Sequence, residues 1–365
     1  MSNRLRDLHD AGVSIWLDFI ERTMVHDGDL ERRVRDDALT GMTSNPTIFE
    51  KALASGTAYD AQLREAPADL SPLQLFELVE TTDVRDACDR FRGVYDATNG
   101  YDGYVSIEVS PGAAHDTDAT VDEAHRLWKA VDRPNVMIKV PGTERGAEAV
   151  RRLITDGINV NITLLFALEA HDRVIHAYMD GLEARVKKNQ PIGGIASVAS
   201  FFVSRVDTEV DARLEANGSQ QLKGKAAIAN AKLAYALFTE RFAGARWQAL
   251  EAKGGRMQRP LWASTSTKNP AYRDVMYVEQ LVGPNSVNTL PPATIEAFRD
   301  HGEVRRTIDT DVDGARQVIA ALEAAGVSMR DVTHKLLVDG LASFQKSFDS
   351  LVEGIARKRE LVTTR

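Results

Sequence analysis

A lysine stands inside an apolar segment of the chain. The segment NVMIKVPGTERG, residues 135–146, places Lys139 between the apolar pairs MI and VP. A short run of β-branched and apolar residues that ends at Pro-Gly predicts a buried strand leading into a turn. A charged amine is costly to bury there. Lys139 could pair with a buried carboxylate and stay charged. Alternatively, it could attack a ketone as a Schiff-base nucleophile, because apolar surroundings favour the uncharged amine that this attack requires.

Other polar residues fall at or near the carboxyl ends of predicted strands. Carboxylates could move protons, and basic residues could bind phosphate. Taken singly, Asp18 or Glu108 could equally pair with a lysine or cap a helix. Lys268 also lies near a predicted strand end, so by position alone either Lys139 or Lys268 could be the nucleophile. The full set is Asp18, Asn45, Glu108, Lys139, Asn161, Thr163, Ser200, Arg205, Ser266 and Lys268.

Eight β-rich segments must position these residues, and most are separated by stretches with helical periodicity. Alternation of strand and helix predicts a parallel sheet, and eight units favour a (β/α)8 TIM barrel of the α/β class over an open sheet. The carboxyl ends of barrel strands converge on one mouth, where barrel enzymes build their sites. The predicted strands span 13–19, 41–45, 104–109, 136–141, 159–166, 193–204, 260–265 and 286–292.

The end of the chain predicts additional C-terminal helices, over about residues 310–360. Ser328 and Asp331 have the spacing of a helix start, and apolar residues then recur at alternating spacings of four and three from Leu337 to Ile355. This predicts an amphipathic helix over 330–360 that packs on the barrel. The same apolar stripe could form a dimer interface, so both a monomer and a homodimer stay open. With no repeats and no linker composition, we expect one domain over 1–365.

Composition excludes several classes of function. With 45 basic and 53 acidic residues the formal charge is -8, which argues against a broad surface for nucleic acid or anionic membranes. The charged start and the absence of a long apolar run predict a soluble, cytoplasmic protein. The lone Cys88 rules out a disulfide framework and is expected in the core.

Metal and nucleotide motifs are missing from the sequence. No H-x-H, H-E-x-x-H or C-x-x-C occurs, so no metal site is predicted. The HDTD segment at 115–118 is interpreted as a solvated loop. No phosphate-binding glycine motif occurs, and PGTERG predicts a turn that enters a helix.

Six segments in order along nearly the whole chain resemble the transaldolase family, and the length is similar to its longer bacterial type. The resemblance implies a class I enzyme of the non-oxidative pentose phosphate pathway. Such an enzyme moves a dihydroxyacetone unit between sugar phosphates through a lysine Schiff base, with no metal or organic cofactor and small sugar phosphates as its partners. The segments are GMTSNPTIFEKA, VSIEVSP, IKVPGTERG, DGINVNITLLF, SFFVSRVD and STSTKNP.

The resemblance also implies a role for each candidate residue. It selects Lys139 as the Schiff-base lysine and makes Asp18, Glu108 and Thr163 catalytic. Hydroxyl-binding residues would be Asn45, Asn161 and Ser200, and phosphate-binding residues would be Arg205, Ser266 and Lys268. Shorter family members carry an arginine where this chain has Lys268, and a lysine binds phosphate without the bidentate fork of arginine.

Two rival interpretations remain open. A related fructose 6-phosphate aldolase would share the strand-four lysine but release free dihydroxyacetone; those chains are shorter. A non-catalytic sugar-phosphate sensor could use the same barrel, since fold does not fix function. A sensor would need Arg205 and Lys268 but not Lys139, Asp18 and Glu108 together.

Overall fold

Eight parallel strands form a closed barrel in chain order, with β8 pairing back onto β1. The computed structural model describes residues 3–54 and 56–364 of the protein. The predicted (β/α)8 barrel is therefore confirmed. The strands are β1 Val13–Asp18, β2 Leu39–Thr43, β3 Tyr104–Glu108, β4 Val136–Pro141, β5 Val160–Leu165, β6 Ser197–Phe202, β7 Arg259–Ala263 and β8 Ser286–Leu290.

Every predicted strand segment overlaps an observed strand, but the boundaries differ. The β2 strand begins at Leu39, before the predicted 41–45, and ends at Thr43, so Asn45 lies in the loop beyond it. The β6 strand occupies only Ser197–Phe202 of the predicted 193–204. The predicted segment began with two glycines, which have no side chain to pack in a strand.

Helices surround the barrel and extend the chain at its end. Among the described residues, no helix is both long and apolar enough to cross a membrane. The helices are α1 Arg4–Asp10, α2 Arg22–His26, α3 Asp29–Asp36, α4 Pro46–Ala54, α5 Asp60–Glu65, α6 Pro72–Ala97, α7 Thr117–Val131, α8 Glu144–Asp156, α9 Leu168–Lys187, α10 Ser204–Asn217, α11 Ala226–Arg241, α12 Ala245–Glu251, α13 Met276–Glu279, α14 Pro292–His301, α15 Val312–Ala324 and α16 Met329–Thr363.

The turn after β4 shows how the sequence sets a strand end. The hydroxyl of Thr143 accepts a hydrogen bond from the Gly146 backbone N–H and so caps the start of α8. A Cβ on Gly146 would lie 1.9 Å from the carbonyl oxygen of Pro141, so only glycine fits. The PGTERG turn thus ends β4 abruptly, two residues after Lys139.

The long C-terminal helix packs across the carboxyl end of the barrel. Ser328 caps α16 by accepting from the Asp331 backbone N–H, and the helix contacts α4, α6, α10 and β5. Its apolar stripe faces the protein, with Phe344, Leu351 and Ile355 buried. The predicted amphipathic helix that packs on the barrel is confirmed.

Candidate active site

The register of the barrel places three predicted site residues side by side. In the β3–β4 pair Glu108 lies beside Lys139, and in the β4–β5 pair Lys139 lies beside Asn161. Residues in register on neighbouring parallel strands point to the same face of the sheet. All three are buried. They therefore form one polar layer at the carboxyl end of β3.

Lys139 contacts both a carboxylate and a backbone carbonyl. Its Nζ donates to Glu108 Oε2 at 3.1 Å and to the Ser44 carbonyl oxygen at 3.2 Å. The ring of Phe344 on α16 lies 5.8 Å from Nζ. Lys139 also lines a cavity at the barrel mouth. It is thus both paired with a carboxylate and open to a small molecule.

Asp18 lies on the wall of the same cavity, at the end of β1. Its Oδ1 accepts a hydrogen bond from Thr43 Oγ1 at 3.0 Å, and Thr43 Oγ1 lies 2.8 Å from Thr289 Oγ1. Burial raises the pKa of Asp18, although the positive charge of Lys139 opposes the shift. Asp18 therefore takes up a proton at a higher pH than an exposed aspartate does.

Glu108 and Thr163 each keep one buried polar atom free. Burial raises the pKa of Glu108, against the opposing charge of Lys139 and its hydrogen bond. Glu108 Oε1 and Thr163 Oγ1 have no hydrogen-bond partner among the described residues. Buried polar atoms in folded proteins are normally hydrogen-bonded. Two unpartnered atoms around Lys139 therefore suit a site that receives substrate or water.

Asn161 and Ser200 are joined across β5 and β6. Ser200 Oγ donates to Asn161 Oδ1 at 2.7 Å, and Asn161 Nδ2 donates to Ser106 Oγ at 2.9 Å. These bonds fix the Asn161 amide in one orientation. They leave the Ser200 oxygen, on the cavity wall, able to accept a further hydrogen bond.

Asn45 lies at the junction of β2 and α4. Its Oδ1 accepts a hydrogen bond from the Ile48 backbone N–H at 3.1 Å, which satisfies a free donor at the start of α4. The side-chain NH2 group remains available on the cavity wall. The helix start thus fixes Asn45 while leaving a donor toward the cavity.

Basic and hydroxyl groups line the side of the cavity formed after β6 and β7. Arg205 lies 5.1 Å over the Phe202 ring and has no hydrogen bond or ion pair with any residue in 3–54 or 56–364. Burial lowers the pKa of Arg205, against the charges of Asp18 and Glu108. Lys268 Nζ donates to Ser266 Oγ at 2.7 Å. Two basic side chains and a hydroxyl group on one side of the cavity could bind an anionic group of a ligand.

The cavity brings together most of the residues expected from the sequence. It measures about 330 Å³. Glu108 and Asn161 lie behind its wall, in contact with Lys139 and Ser200 respectively. The predicted residues that line it are Asp18, Asn45, Lys139, Thr163, Ser200, Arg205, Ser266 and Lys268.

Several lining residues were not expected from the sequence. Lys51 on α4 adds a cation, and Ser343 and Phe344 on α16 close the side near Lys139. Lys51 follows Thr47 and Ile48 by four and three residues, so all three share one helix face. That spacing after Asn45 could have indicated Lys51. The α16 residues depend on how a distant helix docks, which local sequence does not show.

A larger groove lies on another side of α16. It measures about 860 Å³ and is lined by residues that follow β4 and β5, among them Arg145 on α8 and Arg173 on α9, and by the start of α16, including His334. No lysine and none of the predicted site residues line it. Size alone therefore does not select the candidate cavity; the amine of Lys139 and the neighbouring carboxyls favour the smaller one.

No metal site is found in the described part of the chain. Residues 3–54 and 56–364 contain no group of three or more histidine, cysteine, aspartate or glutamate side chains that could hold an ion. The HDTD loop begins with the exposed residues His115 and Asp116, and Asp116 caps α7 by accepting from the Ala119 backbone N–H. The interpretation of HDTD as a solvated loop therefore holds for His115 and Asp116 and is wrong for Thr117 and Asp118, which begin α7.

Comparison with known proteins identifies relatives over the full length. The family described as Transaldolase/Fructose-6-phosphate aldolase matches residues 15–355. A transaldolase of Frankia alni is 48% identical over 363 residues, covering 98% of each chain. One of Saccharopolyspora erythraea is 49% identical over 357 residues, covering 97% of each chain. One of Trichodesmium erythraeum is 44% identical over 382 residues, covering 100% of this chain and 99% of its own.

Proposed function

Because the chain belongs to the transaldolase and fructose-6-phosphate aldolase family, we propose that it transfers a dihydroxyacetone unit from sedoheptulose 7-phosphate to glyceraldehyde 3-phosphate. The reversible reaction gives erythrose 4-phosphate and fructose 6-phosphate. It proceeds through a lysine Schiff base in the non-oxidative pentose phosphate pathway of the cytoplasm. Because the net charge is -8, binding of an anionic sugar phosphate must depend on a local group of basic residues.

The amine of Lys139 carries this proposal. Its Nζ lies on the cavity wall, 3.1 Å from Glu108 Oε2, and Asp18 shares the same cavity. Replacing a buried ion pair with apolar residues is often neutral or stabilising, so stability gives little reason for such a pair. An amine beside two carboxyls of raised pKa can instead attack a ketone while the carboxyls accept and return protons.

Schiff-base formation begins when uncharged Lys139 attacks the C2 carbonyl of the ketose. Glu108 takes the proton that the nitrogen loses, directly or through a water held by Glu108 Oε1 and Thr163 Oγ1. Glu108 delivers two protons in turn to the C2 oxygen, the one that it takes from the Lys139 ammonium before the attack and the one that the nitrogen loses after it, so the oxygen leaves as water and the iminium forms. A carboxyl of raised pKa can both accept and return a proton near neutral pH.

Asp18 is the base in the next step, the cleavage of the C3–C4 bond of the ketose. Asp18 removes the proton of the C4 hydroxyl, the C3–C4 bond breaks, and its electrons pass into the iminium to give an enamine on Lys139. The aldose phosphate leaves. Attack of the enamine on the aldehyde of an acceptor, with Asp18 returning the proton, builds the new ketose. Hydrolysis of the iminium then frees Lys139.

Binding of the three-carbon unit falls to the polar side chains near Lys139. Asn45 and Ser200 line the cavity from β2 and β6, which lie on opposite sides of the eight-strand ring, and Asn161 holds Ser200 in place. Hydrogen bonds from both sides fix the hydroxyls of the substrate against Lys139. Such positioning lowers the barrier to bond cleavage.

The phosphate binds near Arg205, Ser266 and Lys268. The guanidinium of Arg205 stacks on Phe202 but has no hydrogen bond or ion pair in the described ranges, and Lys268 bonds to a neutral hydroxyl. Lys51 adds a third cation at the cavity wall. Shorter family members have an arginine at the position of Lys268, and a lysine cannot bind phosphate with the two parallel hydrogen bonds of an arginine. The additional positive charge of Lys51 offsets this loss.

A product analysis tests the proposed transfer. We expect the protein with fructose 6-phosphate and erythrose 4-phosphate to form sedoheptulose 7-phosphate and glyceraldehyde 3-phosphate in equal amounts, measured by mass spectrometry. Lys139→Met serves as the inactive control. Release of dihydroxyacetone without sedoheptulose 7-phosphate would instead identify a lyase. Absence of both products would support the sensor interpretation.

A further inference from the structure

The C-terminal helix brings one aromatic ring to the reacting lysine. Phe344 on α16 is 5% exposed, lines the catalytic cavity, and has its ring centre 5.8 Å from Lys139 Nζ. The hydrogen-bond partners of Nζ are polar: Glu108 Oε2 and the Ser44 carbonyl oxygen. Phe344 therefore supplies an apolar wall beside a nitrogen whose hydrogen bonds go to polar groups.

The position of Phe344 is fixed by contacts on both sides along α16. One turn earlier, a Cβ on Gly340 would meet Leu164 Cδ2 at 3.0 Å, so glycine allows the helix to lie close to the end of β5. One turn later, Phe348 makes an edge contact with Phe76, with ring centres 5.9 Å apart. The ring is thus held by the docking of the whole helix.

Hydrogen bonds between α16 and α4 secure the same docking. Thr47 Oγ1 donates to Ser347 Oγ at 2.8 Å, and Ser350 Oγ donates to Glu50 Oε1 at 2.6 Å. Since α4 also carries Asn45 at its start, these bonds link the wall formed by α16 to the hydroxyl-binding wall of the cavity. The separation of Phe344 from Lys139 is therefore set by rigid elements.

The proposed reaction has one intermediate for which such a wall matters. After cleavage, the enamine carbon can attack an acceptor aldehyde, or it can take a proton from water. Protonation gives an iminium, and its hydrolysis by a second water releases dihydroxyacetone and regenerates the amine. Transfer therefore depends on keeping water from the enamine until the acceptor binds.

We propose that Phe344 is a specificity-determining residue that keeps water from the enamine on Lys139 and so directs the reaction to transfer rather than release. This inference rests on the proposed function. A buried phenyl ring at this distance occupies space that water would otherwise fill, and it offers no hydrogen bond to hold a water. It acts on the fate of the intermediate, whereas Glu108 and Asp18 act on proton transfer.

The test measures the ratio of dihydroxyacetone released to sedoheptulose 7-phosphate formed, from fructose 6-phosphate and erythrose 4-phosphate. We expect the ratio to rise at least about tenfold in Phe344→Ala, and less in Phe344→Leu, which keeps part of the apolar volume. In D2O the released dihydroxyacetone should carry one deuterium at the former enamine carbon. Phe344→Leu keeps the test decisive if Phe344→Ala does not fold.

Phe348→Ala is the matched control. It removes the same ring one turn later on α16, where Phe348 packs against Phe76 and does not line the cavity. Its product ratio should rise much less than that of Phe344→Ala, because the substitution loosens the docking of α16 but leaves the Phe344 ring beside Lys139. An unchanged ratio in folded Phe344→Leu or Phe344→Ala would overturn the inference, as would an equal rise in Phe348→Ala. Failure of the wild type to transfer would overturn the proposed function itself.

Discussion

At the scale of single residues, the proposed chemistry depends on how the buried Lys139 and Glu108 and the partly buried Asp18 share one environment. Burial raises the pKa of both Asp18 and Glu108, and the charge of Lys139 opposes both shifts. Only Glu108 hydrogen-bonds to Lys139, at 3.1 Å. Asp18 bonds instead to Thr43. The two carboxyls can therefore serve different steps, Glu108 at the nitrogen and Asp18 at the hydroxyl of the substrate.

Replacement of Asp18 should separate Schiff-base formation from cleavage. Asp18→Ala keeps Lys139 and Glu108, so fructose 6-phosphate should still be trapped by borohydride, now as an uncleaved six-carbon adduct. Transfer should fall by about 10²- to 10⁴-fold, the usual contribution of a general acid–base group. Adduct mass and initial rate are the measurements.

Two variants act as controls for that experiment. Asp18→Asn keeps the size of the side chain and should lose transfer to the same extent, because an amide cannot take the proton. Thr43→Val removes the hydrogen bond to Asp18 but keeps the carboxylate, and should cost much less. Transfer at the wild-type rate in Asp18→Ala would exclude Asp18 as the base.

At the scale of elements, the site is made by where strands stop and helices start. The β4 strand ends at Pro141 because α8 begins at once, α4 begins directly after Asn45, and α10 starts at Ser204, next to Arg205. The α16 helix then covers the mouth. Helices outside the barrel contribute packing, and one of them contains a buried histidine with no role in the proposed reaction.

His171 on α9 should make stability depend on pH. Burial lowers its pKa from 6.5 to about 4, and neither ring nitrogen has a hydrogen-bond partner among the described residues. Above pH 6.5 the ring is neutral in both states. As the pH falls from 6.5 toward 4, the unfolded chain binds a proton that the folded chain does not, so folding stability is lost.

The size of this effect can be measured by urea unfolding. From pH 7.5 to pH 5 the His171 contribution to the free energy of unfolding should decrease by about 2 kcal/mol, at ~1.4 kcal/mol per pH unit below the unfolded pKa. His171→Leu should remove that part of the decrease. His176→Gln, at an exposed histidine on the same helix, should not. Equal pH dependence in wild type and His171→Leu would refute the assignment.

At the scale of the whole molecule, the two ends of the barrel differ in how far their polar side chains are hydrogen-bonded to one another. At the amino end, Arg259 Nη1 donates to Ser14 Oγ at 2.6 Å and Arg259 pairs with Asp102 at 3.3 Å, while Trp16 Nε1 donates to Asp102 at 2.9 Å. These groups satisfy one another. At the carboxyl end, by contrast, Glu108 Oε1 and Thr163 Oγ1 have no hydrogen-bond partner among the described residues, and the guanidinium of Arg205 has no hydrogen bond or ion pair with them. This division is typical of barrel enzymes.

Much of this arrangement could be predicted from the sequence because its signals are local. The barrel follows from eight apolar segments with helical stretches between them, and Lys139 is conspicuous inside one such segment. The family resemblance then separated Lys139 from Lys268, which position near a strand end could not do. The predicted bounds 41–45 and 193–204 are wrong at their ends, because pairing with neighbouring strands decides where a strand begins and ends.

The remaining features depend on contacts between distant parts of the chain. Phe344 belongs to an apolar stripe that predicts burial, but nothing in that stripe shows that the ring meets Lys139. The sequence does not distinguish Lys51 from other lysines, because its place on the cavity wall depends on how α4 packs beside the barrel mouth. The network of Ser14, Asp102 and Arg259 joins residues whose local segments give no sign of one another.

The most direct test is borohydride trapping with fructose 6-phosphate, followed by peptide mass spectrometry, on wild type and Lys139→Met. We expect a three-carbon adduct on the peptide that contains Lys139, and no adduct in the variant. An adduct on Lys268, or none on the wild-type protein, would contradict the central claim that Lys139 forms the Schiff base.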